Sequence, residues 1–168
     1  MMQGFYWLIE GRLAGCPRPG SHRGDNSGNT SPEQEQATLD EDLAWLRMRG
    51  IGALLSLTEM PLDAHMLAHH GLDTLHLPVD DLQAPSAAQL HYALAFIDRQ
   101  HALDRAVAVH CLMGQGRTGT VLAAYRIRAG STPDAALAEL RALTPGAIGS
   151  PAQETALRTF ARRRDWIL

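Results

Sequence analysis

Val109-His110-Cys111-Leu112-Met113-Gly114-Gln115-Gly116-Arg117-Thr118-Gly119 is the stretch on which the reading of this chain turns. It joins a short apolar run, Ala106 to Val109, to a helical pattern that runs from Arg117 to Arg128 and stops at Gly130. A glycine-containing turn from strand to helix presents first-turn N–H groups that lack intrahelical acceptors and adds the positive end of the helix dipole, so it forms a cradle for an anion such as phosphate. The same field favours a thiolate, so Cys111 is expected to have a depressed pKa and to act as a nucleophile. Arg117, at the far end of the loop, carries a planar fork that holds two phosphate oxygens and follows charge onto them in the transition state. Glycines at 114, 116 and 119 together have a chance of about 3 in 10,000 at background usage, which sets aside a structural cysteine with an accidental arginine. Leu112, Met113, Gly114, Gln115 and Gly116 join Arg117 as expected binding residues. Thr118 is expected to place its hydroxyl near the sulfur, and His110 to order the loop and not to act as a base.

Outward from this segment, apolar runs alternate with helical patterns. Phe5 to Ile9 and Leu13-Ala14 read as strands around a Glu10-Gly11 turn, and Cys16 to Gln36 as a polar surface loop. Leu39, Leu43, Leu46 and Met48 make a helical stripe ended by Gly50. A buried strand spans Ile51 to Leu57, a short helix Pro61 to His70, and a half-buried strand Leu72 to Val79. Ser86 and Gln89 form a capping box ahead of a helix to about His101. A helix from Thr132-Pro133 to about Leu143 and a last one from Ser150 to about Arg164 follow. Strands alternating with helices and then helices alone predict an α/β layered fold with a central sheet.

With 168 residues, one domain over 1–168 is expected. The net charge of −3 and isoelectric point near 6.2 provide no basic field for nucleic acid or an anionic membrane, so neither is an expected partner. Cys16 and Cys111 are the only cysteines, and the N-terminal apolar run is too short for a secretory signal, so a reducing cytoplasm is the expected compartment.

The segment resembles the His-Cys-x5-Arg-Ser/Thr-Gly signature of cysteine-dependent protein-tyrosine phosphatases, and its Gly-x-Gly-Arg-Thr-Gly ending is similar to small atypical dual-specificity phosphatases of the VHZ-like kind. Gly11-Arg12-Leu13-Ala14-Gly15, Leu55-Ser56-Leu57-Thr58-Glu59 and Thr144-Pro145-Gly146-Ala147-Ile148 resemble further segments of that group. The resemblance implies a mixed sheet of about five strands flanked by helices, no cofactor or metal, and a phosphorylated protein or small phosphomonoester as substrate, acted on by a monomer. It also implies an aspartic general acid upstream. Asp80-Asp81-Leu82-Gln83-Ala84-Pro85-Ser86 matches that loop, with Asp81, thirty residues before Cys111, as the acid in preference to Asp80. Gln153 resembles a water-positioning glutamine, although Ser150-Pro151-Ala152-Gln153 also reads as a capping box. Gly149 departs from a glutamate found in VHZ-like chains.

Four other readings stand beside catalysis at Cys111. His65, His69 and His70 share a helix face but lack a further metal ligand and read as a polar surface. Arg158, Arg162, Arg163 and Arg164 read first as cations complementing a helix C-terminus. A phosphate-binding module without turnover, and a sulfur or arsenate enzyme, are opposed by the joint presence of Cys111, Arg117 and Asp81. The loop carrying Arg18, His22 and Arg23 is the expected seat of specificity.

Overall fold

The apolar runs Ile51–Ser56 (β3) and Ala106–His110 (β5) are buried at every position, as strands covered on both faces must be. The structure, a computed structural model, describes residues 1–21 and 31–163. Around these two strands lie β1 (Tyr6–Ile9), β2 (Leu13–Cys16) and β4 (Asp73–His76), giving a five-stranded sheet in the order β1-β2-β5-β3-β4. β1 is antiparallel to β2; β2, β5, β3 and β4 run parallel. The expected mixed sheet is therefore present.

The helices are α1 (Pro32–Met48), α2 (Ala64–His69), α3 (Ala87–Ala102), α4 (Gly116–Arg128), α5 (Pro133–Leu143) and α6 (Pro151–Arg162). One face of the sheet packs Ala14, Leu54 and Ala108 against Leu43 and Leu46 of α1 and Leu67 of α2. The other packs Leu13, Leu55, Val107 and Val109 against Phe96 and Ile97 of α3, Leu122 of α4, Leu140 of α5 and Leu157 of α6.

Several boundaries differ from the sequence reading. The first helix starts at Pro32, not Leu39, because Ser31 accepts from the Gln34 N–H while the Gln34 side chain caps the Ser31 N–H. The surface loop is shorter accordingly, and its first residue, Cys16, closes β2. Met48 is 86% exposed and leaves the stripe, which consists of Leu39, Leu43 and Leu46. The second helix starts at Ala64 because Asp63 caps the Met66 N–H. The strand expected over Leu72 to Val79 is confined to Asp73–His76. His22, Arg23 and Arg164 lie outside the described residues.

Four parallel strands end on one edge of the sheet, at Cys16, Ser56, His76 and His110. In such sheets the crevice outside the carboxyl ends of the strands is where ligands bind. Backbone bonds extend this edge beyond the strands: Leu57 donates to His110 O, Leu77 to Ser56 O, and Val79 to Leu57 O. The segments after β3, β4 and β5 are thereby brought side by side.

Candidate active site

The turn after β5 curls because Gly114 adopts φ +73°, where a side chain would be strained; a Cβ there would also lie 2.5 Å from the carbonyl carbon of Cys16. The loop's carbonyls are held by the surrounding fold. Cys111 O faces His110 Nδ1, Leu112 O accepts the Arg18 N–H, and Gly114 O accepts the Tyr6 hydroxyl at 2.9 Å. Gln115 O accepts the N–H groups of Gly119 and Ile148, and Gly116 O the Thr120 hydroxyl. Gly116, Arg117 and Thr118 open α4, so their N–H groups lack intrahelical acceptors and remain for an anion. Ile148, a β-branched residue at φ +54°, is a strained position that docks the turn before α6 onto this loop.

Cys111 is 2% exposed at the start of the loop. Behind it, the imidazole of His110 is fully buried, and burial first, then the charges of Arg18, His76 and Arg117, push its pKa down to about 3 against the opposing bond to Cys111 O. The ring is therefore neutral near pH 7. A carbonyl only accepts, so Nδ1 carries the proton toward Cys111 O, 3.2 Å away, and Nε2 accepts the Ser56 hydroxyl at 2.6 Å. The ring has no lone pair left for proton abstraction, and it joins the ends of β3 and β5 under the loop.

Its burial predicts a pH dependence of stability. Between the ordinary value of about 6.5 and the folded value of about 3, the unfolded chain binds the extra proton, so stability is full above pH ~6.5 and falls as pH drops through that window. Denaturant titrations at pH 7 and pH 4 should show a shallower loss for His110→Gln than for wild type, by at most ~1.4 kcal/mol per pH unit. Equal slopes would refute it.

Arg117 is 2% exposed, and its guanidinium is surrounded by acceptors. Nη1 donates to Val79 O at 2.7 Å and to Glu59 Oε2 at 2.9 Å; Nη2 lies 3.2 Å from Asp81 Oδ1. Asp81 thus reaches the loop, whereas the side chain of Asp80, next to it, makes no hydrogen bond or ion pair among the described residues. Leu112 and Met113 are about half exposed at the loop's outer rim. Thr118 is fully buried, and its hydroxyl has no hydrogen-bond partner; it makes no bond to Cys111 in this state.

Gln153 completes the capping box of α6 with Ser150, and its Nε2 also donates to Gln83 O at 3.2 Å. A Cβ on Gly116 would lie 2.9 Å from that nitrogen. Ser150 Oγ donates to Leu82 O, so the α6 N-terminus holds the segment carrying Asp81 beside the loop. The cap and a place beside the site are not alternatives here.

Sequence reasoning gave no site role to Glu59 or Tyr6, and placed Arg18 only on the loop expected to set specificity, whereas Arg18 braces the Glu59 turn and the cysteine loop. Glu59 stands just past the end of β3 as Asp81 does past β4, and the convergence of parallel strand ends was the available signal. Tyr6 comes from β1 and Arg18 from the exit of β2, and no local pattern marks the part either plays in holding the loop. Cys16, buried on the neighbouring strand, is held as a neutral thiol: burial first, then the charges of Cys111 and Asp42, push its pKa well up. His65, His69 and His70 form no metal cluster among the described residues; His70 faces Asp40 at 2.8 Å. Arg158 pairs with Asp134.

Residues 27–131 match the model of a family described as the DSP-PTPase phosphatase of polymorphic toxin systems. Over 127 residues the chain is 29% identical to the phosphatidylglycerophosphate phosphatase PTPMT2 of Arabidopsis thaliana, covering 73% of this chain and 56% of that protein. Over 151 residues it is 29% identical to the tyrosine-protein phosphatase cdc-14 of Caenorhabditis elegans, covering 89% of this chain and 20% of that protein. The chain thus spans between a fifth and just over half of these curated relatives. Tk-PTP in its active form superposes with a TM-score of 0.78 at 27% identity, covering 97% of this chain and 99% of that one. Kinase associated phosphatase, with its catalytic cysteine replaced by serine, superposes at 0.77 with 23% identity, covering 93% and 92%, a likeness of fold alone. These likenesses do not single out the VHZ-like subgroup.

Proposed function

We propose, since the chain belongs to the DSP-PTPase phosphatase family within the cysteine-dependent protein-tyrosine and dual-specificity superfamily, that it hydrolyses phosphotyrosine in proteins, with phosphoserine and phosphothreonine as secondary substrates. The observation that supports this reading best is the convergence of Cys111, the buried fork of Arg117 and the carboxylate of Asp81 on one strand-to-helix loop. The Cys111 thiolate attacks phosphorus, forming an S–P bond as the ester P–O bond breaks, and Asp81 gives its proton to the departing oxygen. The loop amides and Arg117 carry the charge on the equatorial oxygens. Water then attacks the phosphocysteine, its proton passing to Asp81, and the S–P bond breaks to release phosphate and regenerate the thiolate. Thr118, whose buried hydroxyl lacks a partner, is placed by the proposal toward the departing sulfur.

Leu112, Met113 and Gln115 add no positive charge to the loop. The residues flanking its catalytic neighbours, Met60 beside Glu59 and Leu82 beside Asp81, are 72% and 65% exposed. Such an apolar surround suits one phosphate on an apolar body and disfavours polyphosphorylated headgroups. It equally suits a small or lipid phosphomonoester, the second reading, which the likeness to the plant phosphatidylglycerophosphate phosphatase favours.

The test is hydrolysis of para-nitrophenyl phosphate in chelator with and without vanadate, followed by phosphotyrosyl peptide, phosphoseryl peptide and phosphatidylglycerophosphate. Chelator-resistant, vanadate-sensitive turnover led by the phosphotyrosyl peptide is the expected result. Preference for the lipid would replace the protein substrate by the second reading. No turnover by folded protein would leave a phosphate-binding module.

A further inference from the structure

Tyr6 stands on the outer strand of the sheet, and β2 separates it from the strand that leads into the cysteine loop. It lies directly opposite Gly15 of β2. A Cβ at Gly15 would lie 2.3 Å from the ring carbon Cζ of Tyr6 and 2.4 Å from its hydroxyl oxygen, so the missing side chain leaves the slot through which the phenol crosses β2. The half-buried ring packs on the core face that also holds Leu13, Val109 and Cys111. The loop comes to meet it: Gly114 lies against the Cys16 backbone at the end of β2, and Gly114 O accepts the Tyr6 hydroxyl at 2.9 Å. Burial first, then the charges of Cys111 and Cys16, push the pKa of the phenol up, so the hydroxyl keeps its proton and remains a donor.

A trans peptide is planar, and its C=O and N–H point in opposite directions. A partner that holds a carbonyl away from the hollow of the loop therefore aims the next residue's N–H into it. Leu112 O is held by the Arg18 N–H, and Gln115 O by the N–H groups of Gly119 and Ile148. Among the described residues Gly114 O has Tyr6 alone. That carbonyl belongs to a glycine at φ +73°, the residue type with the widest backbone freedom, so its peptide plane depends most on an outside partner. The N–H on the other side of the plane, that of Gln115, meets no acceptor among the described residues. Gln115 immediately precedes Gly116, Arg117 and Thr118, whose N–H groups open α4, and its own N–H adds a donor to the same cradle.

We propose that Tyr6 is a positioning residue of the phosphate cradle: by holding Gly114 O it fixes the Gly114–Gln115 peptide with the Gln115 N–H toward the bound anion. The expected effect on turnover rests on the phosphatase reading, whereas the effect on anion binding does not. Tyr6→Phe tests it, because phenylalanine keeps the ring in the slot over Gly15 and removes only the donor. Nothing then holds the peptide against rotation about the bonds that flank it. The cradle loses the alignment of one amide, while Cys111, Arg117 and the first turn of α4 stay in place.

Calorimetric titration should give a tungstate affinity about tenfold weaker in Tyr6→Phe than in wild type, and kcat/KM for para-nitrophenyl phosphate should fall about tenfold to a hundredfold. In isotope-labelled protein, saturating tungstate should move the Gln115 amide resonance in Tyr6→Phe less than about half as far as in wild type, with the shifts at Arg117 and Thr118 kept. Gly15→Ala, which closes the slot and displaces the phenol without truncating it, should reproduce the selective loss at Gln115. Tungstate affinity within about twofold of wild type, or an unchanged Gln115 shift, would overturn the proposal. Equal losses at all three amides would overturn it too, since they would mark a general loosening of the loop. If wild type bound tungstate but hydrolysed no phosphomonoester, the phosphatase reading would fall, and the Gln115 response would still decide the role of Tyr6.

Discussion

Cys111→Ser is expected to lower kcat by about 10⁴-fold or more while tungstate binding stays within about threefold of wild type. A serine hydroxyl is not ionised at neutral pH, and no described group stands ready to deprotonate it. The neighbouring imidazole is neutral, with both ring nitrogens engaged by Cys111 O and Ser56. Anion binding should survive, because the first-turn amides of α4 and Arg117 do not depend on the sulfur. The exchange of sulfur for oxygen at a 2% exposed position changes little volume, so the melting temperature should move by only a few degrees. Single-turnover hydrolysis of para-nitrophenyl phosphate and calorimetric titration of tungstate measure the two quantities. Residual turnover above about a hundredth of wild type would remove Cys111 from the role of nucleophile.

Arg117→Lys should fail differently, losing about 10²–10³-fold in kcat/KM together with at least about tenfold in tungstate affinity. Lysine keeps the positive charge but not the planar fork that meets Val79 O, Glu59 and Asp81 together. It leaves part of that acceptor set unpaired at a buried position, so the variant should also melt at a lower temperature than wild type. The comparison with Cys111→Ser separates chemistry from binding: one variant loses turnover and keeps the anion, the other loses both. Tungstate affinity unchanged in Arg117→Lys would mean that the amides alone bind the anion, and the gripping role of Arg117 would fall.

The chemistry-bearing loop was legible because its information is local. A strand end, a cysteine, spaced glycines and an arginine fall within nine residues, Val109 to Arg117, and the electric field of a helix N-terminus acts over that distance. The helix starts at Ser86, Thr132 and Ser150 were legible for the same reason, since a cap bonds to residues two or three positions ahead. Where local signals competed, the reading slipped. Ser31-Pro32 with Gln34 starts a helix, but the run of Glu33, Gln34, Glu35 and Gln36 has no apolar stripe and by pattern reads as loop. Met48 looked like core by residue type and lies on the outer face of its helix.

By itself the sequence determined an α/β layered fold, the loop with Cys111 and Arg117, and two adjacent aspartates as candidates for an acid. Only the tertiary structure decided that Asp81 meets Arg117, that Glu59 stands between them, and that Tyr6 holds Gly114 across 108 positions. Those relations depend on strand order and register: β5 lies between β2 and β3, and the parallel strands end together on one edge. Register is set by how two apolar faces pack against helices from both sides, a property of the whole chain that no short window of residues contains.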